Sequence, residues 1–444
     1  MLESPVGQTL RELTIPMIVG IIAVLLFGLV DTYFVSLLGT DPLAAIGFTF
    51  PISFVVMNIT MGFAIGLAAV LSKTLGEGDH STAVRLTTDN LLLSVLVVSL
   101  VAILGIVTIE PLFTLLGAPN HIMPYIKDYM LLWYIGSIFL VIPMVGNGAL
   151  RATGDMKTPS ILMIISALLN AILDPLFIFG VGPFPEMGIQ GAALATLIAW
   201  FVSCVVSLWI LAKRKKLISF TPQSLATMIV SWKPVLYIGL PAGLTNLLIP
   251  VSTAILTAMM AKHGVEAVAA FGVGTRVEAL AMVVIMSLST ALLPFIGQNL
   301  GAKNNDRVLS AVSISLKFCL WFQILVYLIL IIFSSMIADA FSNDPKVIEL
   351  VILFLFILPI SYSFQGMMML SGSVMNALNK PVEVTVLSVI RLFVLFIPFA
   401  YMGSLLADVK GLFWGLVIAS IIASGITYFW LKRTLRILQP VNSF

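Results

Sequence analysis

Two short stretches carry the residues best suited to chemistry. NAILDPLFIFG, residues 170–180, sets a carboxylate (Asp174), an amide one helical turn before it (Asn170) and a proline directly after it (Pro175) inside a long apolar run. LLFGLVDTYFVSLLG, residues 25–39, holds a second carboxylate, Asp31, in another such run. On a helix Asn170 and Asp174 share a face, and Pro175 leaves the carbonyl of Ala171 without its usual donor. An ionisable side chain at membrane depth costs about 2.5–3.5 kcal/mol and by default marks a pathway or a site. Two carboxylates close together in low dielectric cannot both stay ionised cheaply, so one of them is expected to hold a proton. Such a pair suits the uptake and release of H+. The same oxygens, with Asn170 and the hydroxyl of Thr196, could instead ligate Na+. The bland alternative is that both acids only hydrogen-bond neighbouring helices.

The elements that must position these groups are membrane spans. Of 444 residues 60% are hydrophobic and 10% charged, against about 25% charged in a soluble domain, so much of the surface must face lipid. The net charge of +3 implies no nucleic-acid or acidic partner. Cys204 and Cys319 lie in separate apolar runs and suggest neither a disulfide nor a metal site. The N-terminus lacks the pattern of a cleaved leader, and the first apolar run is expected to stay as a span. Twelve spans are expected, at 13–38, 43–72, 87–109, 123–149, 159–180, 188–212, 235–261, 266–297, 309–333, 347–377, 382–402 and 409–431. The longest polar break, 213–234, reads as a cytoplasmic linker between an N-lobe at 1–212 (spans one to six) and a C-lobe at 235–444 (spans seven to twelve). Lys and Arg gather on the side that holds Lys213, Arg214, Lys215 and Lys216, which places both termini in the cytoplasm.

The halves also repeat. Adding 225 to a residue number takes Pro16 to Pro241, Gly47 to Gly272 and Gly76 to Gly301. Each half has an even number of spans, so the repeats point the same way, and transporters on this plan bind substrate between their halves. The expected fold is an all-α polytopic membrane protein, twelve transmembrane helices in two six-helix repeats around a central cavity. In that frame Asp31 is about 10 Å from the outer end of its span, Asp174 about 9 Å, and Thr196 about 12 Å into the sixth. With Asn170, four oxygen-bearing side chains share one depth in the outer half of the first repeat.

Other residues stand out less. Glu278 falls near the midplane of the eighth span with Arg276 two residues away, a spacing that does not face two side chains together on a helix. Arg391 is an alternative partner, in a structural ion pair or a gate. Met61 and Met163, among frequent methionines, suit a pocket for varied apolar shapes, although such residues are more often plain packing. Asn58 and Asn147 are polar exceptions that could line a cavity. Pro16 and Gly20 offer a bend in the first span. The Gly-x-Gly in GNGALRATGDMKTP, residues 146–159, ends a membrane helix rather than following a strand and is weak as a nucleotide fingerprint. No phosphate-binding loop, His cluster or paired-acid enzyme motif occurs in the sequence, so neither an ATP-driven pump, a cofactor nor a membrane-embedded enzyme is expected.

The opening LxxPxxxGxxxxxxxGLVDTYFVSLLG, GNGALRATGDMKTP after the fourth span and NAILDPLFIFG in the fifth resemble the multidrug and toxic compound extrusion (MATE) transporters, most closely the DinF-like prokaryotic branch. The resemblance covers nearly the whole chain. It implies a secondary antiporter in the bacterial inner membrane that exports amphipathic, often cationic, drugs in exchange for H+, with Na+ as the alternative ion and a monomer as the functional unit. It implies Asp31, Asn170, Asp174 and Thr196 as the N-lobe coupling site, Asn147 and Met163 near bound drug, and a first helix that bends near Pro16. The seventh span carries no acid and the tenth only Glu349, two residues from its start, a departure from the NorM-like branch that puts a C-lobe cation site in doubt. A lipid-intermediate flippase is the rival reading, and twelve rather than fourteen spans count against it.

Overall fold

The computed structural model describes residues 1–219 and 224–438. Residues 220–223 of the expected linker and the last six residues of the expected C-lobe lie outside the described residues. The chain runs as α1 (Val6–Ser36), α2 (Thr40–Gly76), α3 (His80–Val107), α4 (Ile109–Leu115), α5 (Met123–Ala152), α6 (Lys157–Ile178), α7 (Ile189–Trp209), α8 (Leu225–Ala261), α9 (Val265–Gly301), α10 (Asn305–Ile332), α11 (Ser334–Phe341), α12 (Pro345–Ile357), α13 (Tyr362–Ala377), α14 (Pro381–Val389) and α15 (Ile397–Leu435). No strand occurs among the described residues. A 3-10 turn at Leu358–Ser361, holding Pro359, joins α12 to α13 as one span, and a π turn at Ile390–Phe396 joins α14 to α15.

Among the described residues eleven helical stretches are long and apolar enough to cross a membrane, and the last, Pro381–Leu435, is really two. It breaks at Ala407 (φ −152°) and Asp408 (φ 49°), where the backbone leaves the helical region. The two limbs then meet with Gly403 against the carbonyl of Gly411 and the reverse, a contact that leaves no room for a Cβ. Twelve spans result. Leu406, Leu115 and Val107 are among many large apolar side chains left exposed, as lipid-facing helices require.

The repeat is visible in the elements. α2 and α9 are both 37 residues long and start 225 apart; α3 and α10 are both 28 residues long and start 225 apart. The expected start of the seventh span, 235, differs from the structure, where α8 begins at Leu225. Ser224 explains the earlier start, because its Oγ accepts the Thr227 N–H at 3.2 Å and caps the new first turn.

The chain falls into two compact units, one of residues 15–243 and one of residues 1–14 with 244–444. In the first, α5 is central and packs on α2, α3 and α7, while α6 packs on α7. Trp133 meets Trp200 edge-on at 5.9 Å in that interior. In the second, Phe354 stands between Phe413 (5.4 Å) and Phe271 (6.3 Å). There Arg307 also ties down the start of the chain. Its Nη2 donates to the carbonyls of Met1 (3.0 Å) and Ser4 (2.7 Å), and its Nε to Asn299 Oδ1 (3.0 Å).

Candidate functional site

The site forms in the first unit, where α6 packs on α7. Asn170 and Asp174 lie one turn apart on α6, both fully buried, and Thr196 faces them from α7. The Asn170 amide bridges them. Nδ2 donates to Asp174 Oδ1 at 3.0 Å and to Thr196 Oγ1 at 3.2 Å. This arrangement leaves acceptors over. Asn170 Oδ1, Asp174 Oδ2 and Asp31 Oδ1 are all buried with no hydrogen-bond partner in the protein. Asp31 is half-buried on α1, and its charge acts on Asp174. Buried polar atoms are almost always paired, so three orphaned acceptors around two carboxylates describe a place made for a proton, a cation or water.

Tyr129 on α5 completes the surroundings and was missed in the sequence. It is buried and within electrostatic range of both Asp31 and Asp174. It stands six residues, about 9 Å, from the start of α5, a depth like that of the acids in their own helices. Depth could have found it. A search confined to acids and amides passed over a phenol, which can donate a hydrogen bond to a carboxylate.

The remaining candidates are more dispersed. Asn58 on α2 turns its amide back to the carbonyl of Phe54 at 2.8 Å, and Met61, one turn along, is 41% exposed. Asn147 is buried on α5 with Oδ1 unpartnered. Met163 lies on α6 against Gly20 of α1: a Cβ at Gly20 would stand 3.0 Å from Ser160 Cα and 3.1 Å from Met163 Sδ. Gly20 therefore permits α1 to touch the helix that carries Asp174. Pro16 lies inside α1, which is helical without interruption from Val6 to Ser36. In the other unit Glu278 on α9 is within electrostatic range of Arg391, with the Gln365 amide in reach. The two make no contact ion pair, and Arg391 instead stacks 5.6 Å over Phe396. Arg276 points away and is exposed.

At the far end of the first unit, the loop after α5 carries Asp155. Lys215 Nζ reaches its Oδ2 at 2.8 Å, the Thr158 N–H donates to Oδ1 at 3.0 Å and Thr158 Oγ1 donates to Oδ2 at 2.8 Å. Partial burial pushes this carboxyl up, but these partners together hold it below the usual carboxylate range.

A lipid-embedded chain that is all-helical among the described residues, with two repeated halves and a buried carboxylate cluster, has the architecture of a membrane transporter. The sequence model of the MatE family matches residues 16–176 and again 241–402, two copies that start 225 residues apart. The chain belongs to the MatE family of transporters. It is 40% identical over 443 residues, covering 100% of this chain and 97% of the relative, to a protein of Shewanella oneidensis described as a FAD transporter. It is 26% identical to a probable multidrug resistance protein NorM of Thermotoga maritima, over 83% of this chain and 81% of the relative. Its fold matches the Vibrio cholerae MATE transporter VcmN, crystallised in a bent form, with TM-score 0.93, 33% identity and 98% of each chain covered.

Proposed function

We propose that the chain is a cation-coupled exporter in the bacterial inner membrane, with both termini cytoplasmic, in which H+ entering at Asp31 and Asp174 drives an organic molecule out. One observation carries this reading: two carboxylates within range of each other's charge, with three buried oxygen acceptors left unpartnered around them. A proton on either acid converts an acceptor into a donor and removes a charge that holds polar partners and water at the site. Cargo and proton then compete, because each shifts the conformational equilibrium only by its differential affinity for the two states. Pro16 opens the backbone ladder of α1, and a bend there would carry Asp31 relative to Asp174. That a VcmN structure is described as a bent form supports the hinge. Asn58, Met61, Asn147 and Met163 are proposed to line the cargo cavity, and Glu278 with Arg391 to gate it, Arg276 taking no part.

For the cargo, amphipathic organic cations fit the drug exporters among the relatives. A second reading, a flavin dinucleotide, is favoured by the higher identity, over the whole chain, to the protein described as a FAD transporter. Purified protein in vesicles, given an imposed H+ or Na+ gradient separately and loaded with FAD or a cationic dye, decides both questions. H+-driven export that Asp31→Asn abolishes is the expected result. Export driven by Na+ alone, or unchanged by Asp31→Asn, would refute the coupling reading. Labelling of Lys215→Cys by an impermeant thiol reagent from outside intact cells would refute the orientation.

A further inference from the structure

Ser203 and Ser207 on α7 are 5% and 0% exposed, and neither hydroxyl has a hydrogen-bond partner. Ser94 and Ser137, equally buried in the same unit, behave ordinarily and donate to the carbonyls of Leu91 (2.9 Å) and Tyr134 (2.7 Å). The two orphans share a face with Thr196, since steps of seven and four residues keep all three within about 40° at roughly 100° per residue.

That face looks onto α5. A Cβ at Gly136 would stand 3.1 Å from the Trp200 ring, and one at Gly146 would stand 2.8 Å from Ser207 Oγ. Reading between these two pairs, ten residues apart on α5 and seven on α7, places Ser203 opposite about residue 140. Pro143 has no N–H, so the carbonyl of Phe139 lacks its helical donor at that level. One residue beyond Gly146, Asn147 Oδ1 is also buried without a partner. Three side-chain oxygens thus lie along this seam without a partner in the protein, beside a carbonyl that has lost its helical donor, and buried polar groups of this kind are normally satisfied by internal water. Toward the acids the seam is closed by Trp200, which lies between Thr196 and Ser203 on the same face and packs on Trp133. Toward the other end it reaches Arg151, buried one turn beyond Asn147.

The geometry points to a buried water file between α5 and α7, from Trp200 to Arg151, that relays protons between the Asp31/Asp174 cluster and the Lys215 end of the unit. It rests on the proposed proton coupling. The file gives a proton a route that meets the proposed cargo cavity only at Asn147, and Trp200 keeps it from being an open leak. Ser203 and Ser207 are about 6 Å apart along the helix, a span that one water bridges with two hydrogen bonds of about 3 Å. The titratable groups at its ends are Asp31, Asp174 and Tyr129 on one side and Arg151 on the other.

The test is the double variant Ser203→Ala/Ser207→Ala in vesicles, beside Asp31→Asn. Removing two hydroxyls whose partners are internal waters costs little thermal stability, whereas removing ones bonded to buried protein groups lowers it. The expected result is unaltered stability and cargo binding, with H+-driven export slowed about fivefold, the equivalent of one lost hydrogen bond in the relay. Radiolytic labelling of Trp200, which needs neighbouring water because its side chain is buried, is expected in the native protein and reduced in the variant. Wild-type export by the variant, a loss of stability, or an unlabelled Trp200 would overturn the file. If Asp31→Asn still abolishes export in that case, the coupling reading stands without it; if Asp31→Asn exports normally, both fall.

Discussion

Gly20→Ala tests whether α1 turns about Pro16. The new Cβ would meet Ser160 Cα at 3.0 Å and Met163 Sδ at 3.1 Å. Ordinary contact begins near 3.4 Å, and Ser160 Cα is backbone, so α1 must move off α6 by about 0.5 Å, near the closest workable carbon contact. Helix propensity favours alanine by about 1 kcal/mol, while overpacking costs about 1–3 kcal/mol. Stability should therefore fall by no more than about 2 kcal/mol. Motion is affected more. From Pro16 to Gly20 is about 6 Å of helix and from Pro16 to Asp31 about 22 Å. If α1 pivots at Pro16, an opening of about 0.5 Å at Gly20 grows to about 2 Å at Asp31 by this lever. A misplacement of 1 Å can cost about a hundredfold in a positioned site, so gradient-driven export should drop at least about tenfold. The assay is vesicle export paired with a thermal unfolding midpoint in detergent. A Gly20→Ala protein that exports at the wild-type rate would refute the pivot.

Three further outcomes are expected. Tyr129→Phe keeps the ring and removes a hydroxyl near both acids; export should slow by about fivefold to tenfold, the scale of one hydrogen bond, with the unfolding midpoint unchanged. Asp155→Asn should destabilise by up to about 1 kcal/mol at neutral pH, the scale of a partly exposed ion pair. The Asp155 carboxyl is held below its usual value, so its contribution is complete above the unfolded pKa of about 3.9 and is lost as pH falls through the lower folded value. Unfolding midpoints of variant and wild type should accordingly converge once the pH has fallen through that lowered folded value. Arg307→Ala removes two hydrogen bonds to Met1 and Ser4; hydrogen exchange over residues 1–14 should speed up by about tenfold, consistent with about 1–2 kcal/mol, while exchange in α5 stays as it was.

Much of the candidate site was legible because lipid makes polarity rare. Asp31, Asn170, Asp174 and Thr196 stood out against apolar runs, and counting residues from the span ends put them at one depth. The structure joins three of them through a single amide. Tyr129 escaped because an aromatic ring is unremarkable in a membrane helix, and only its depth marks it. The repeat was legible through Pro16/Pro241 and the glycine pairs, whose backbone roles survive divergence better than apolar packing does. The helical start at Leu225 was not, since LATMIVSWKP has no long apolar run and its N-terminal cap is a lone serine. Nor were the orphaned hydroxyls of Ser203 and Ser207. A serine in a helix normally bonds back to its own backbone, and only the three-dimensional structure distinguishes the ones that do not.

The central claim is that cargo and proton exclude one another at Asp31 and Asp174. Its most direct measurement is the number of protons released when cargo is added to the purified, unbuffered protein. Wild type should release protons on binding, and Asp31→Asn/Asp174→Asn should bind cargo with none released. Cargo binding without proton release in wild type, or equal release by the double variant, would contradict the account.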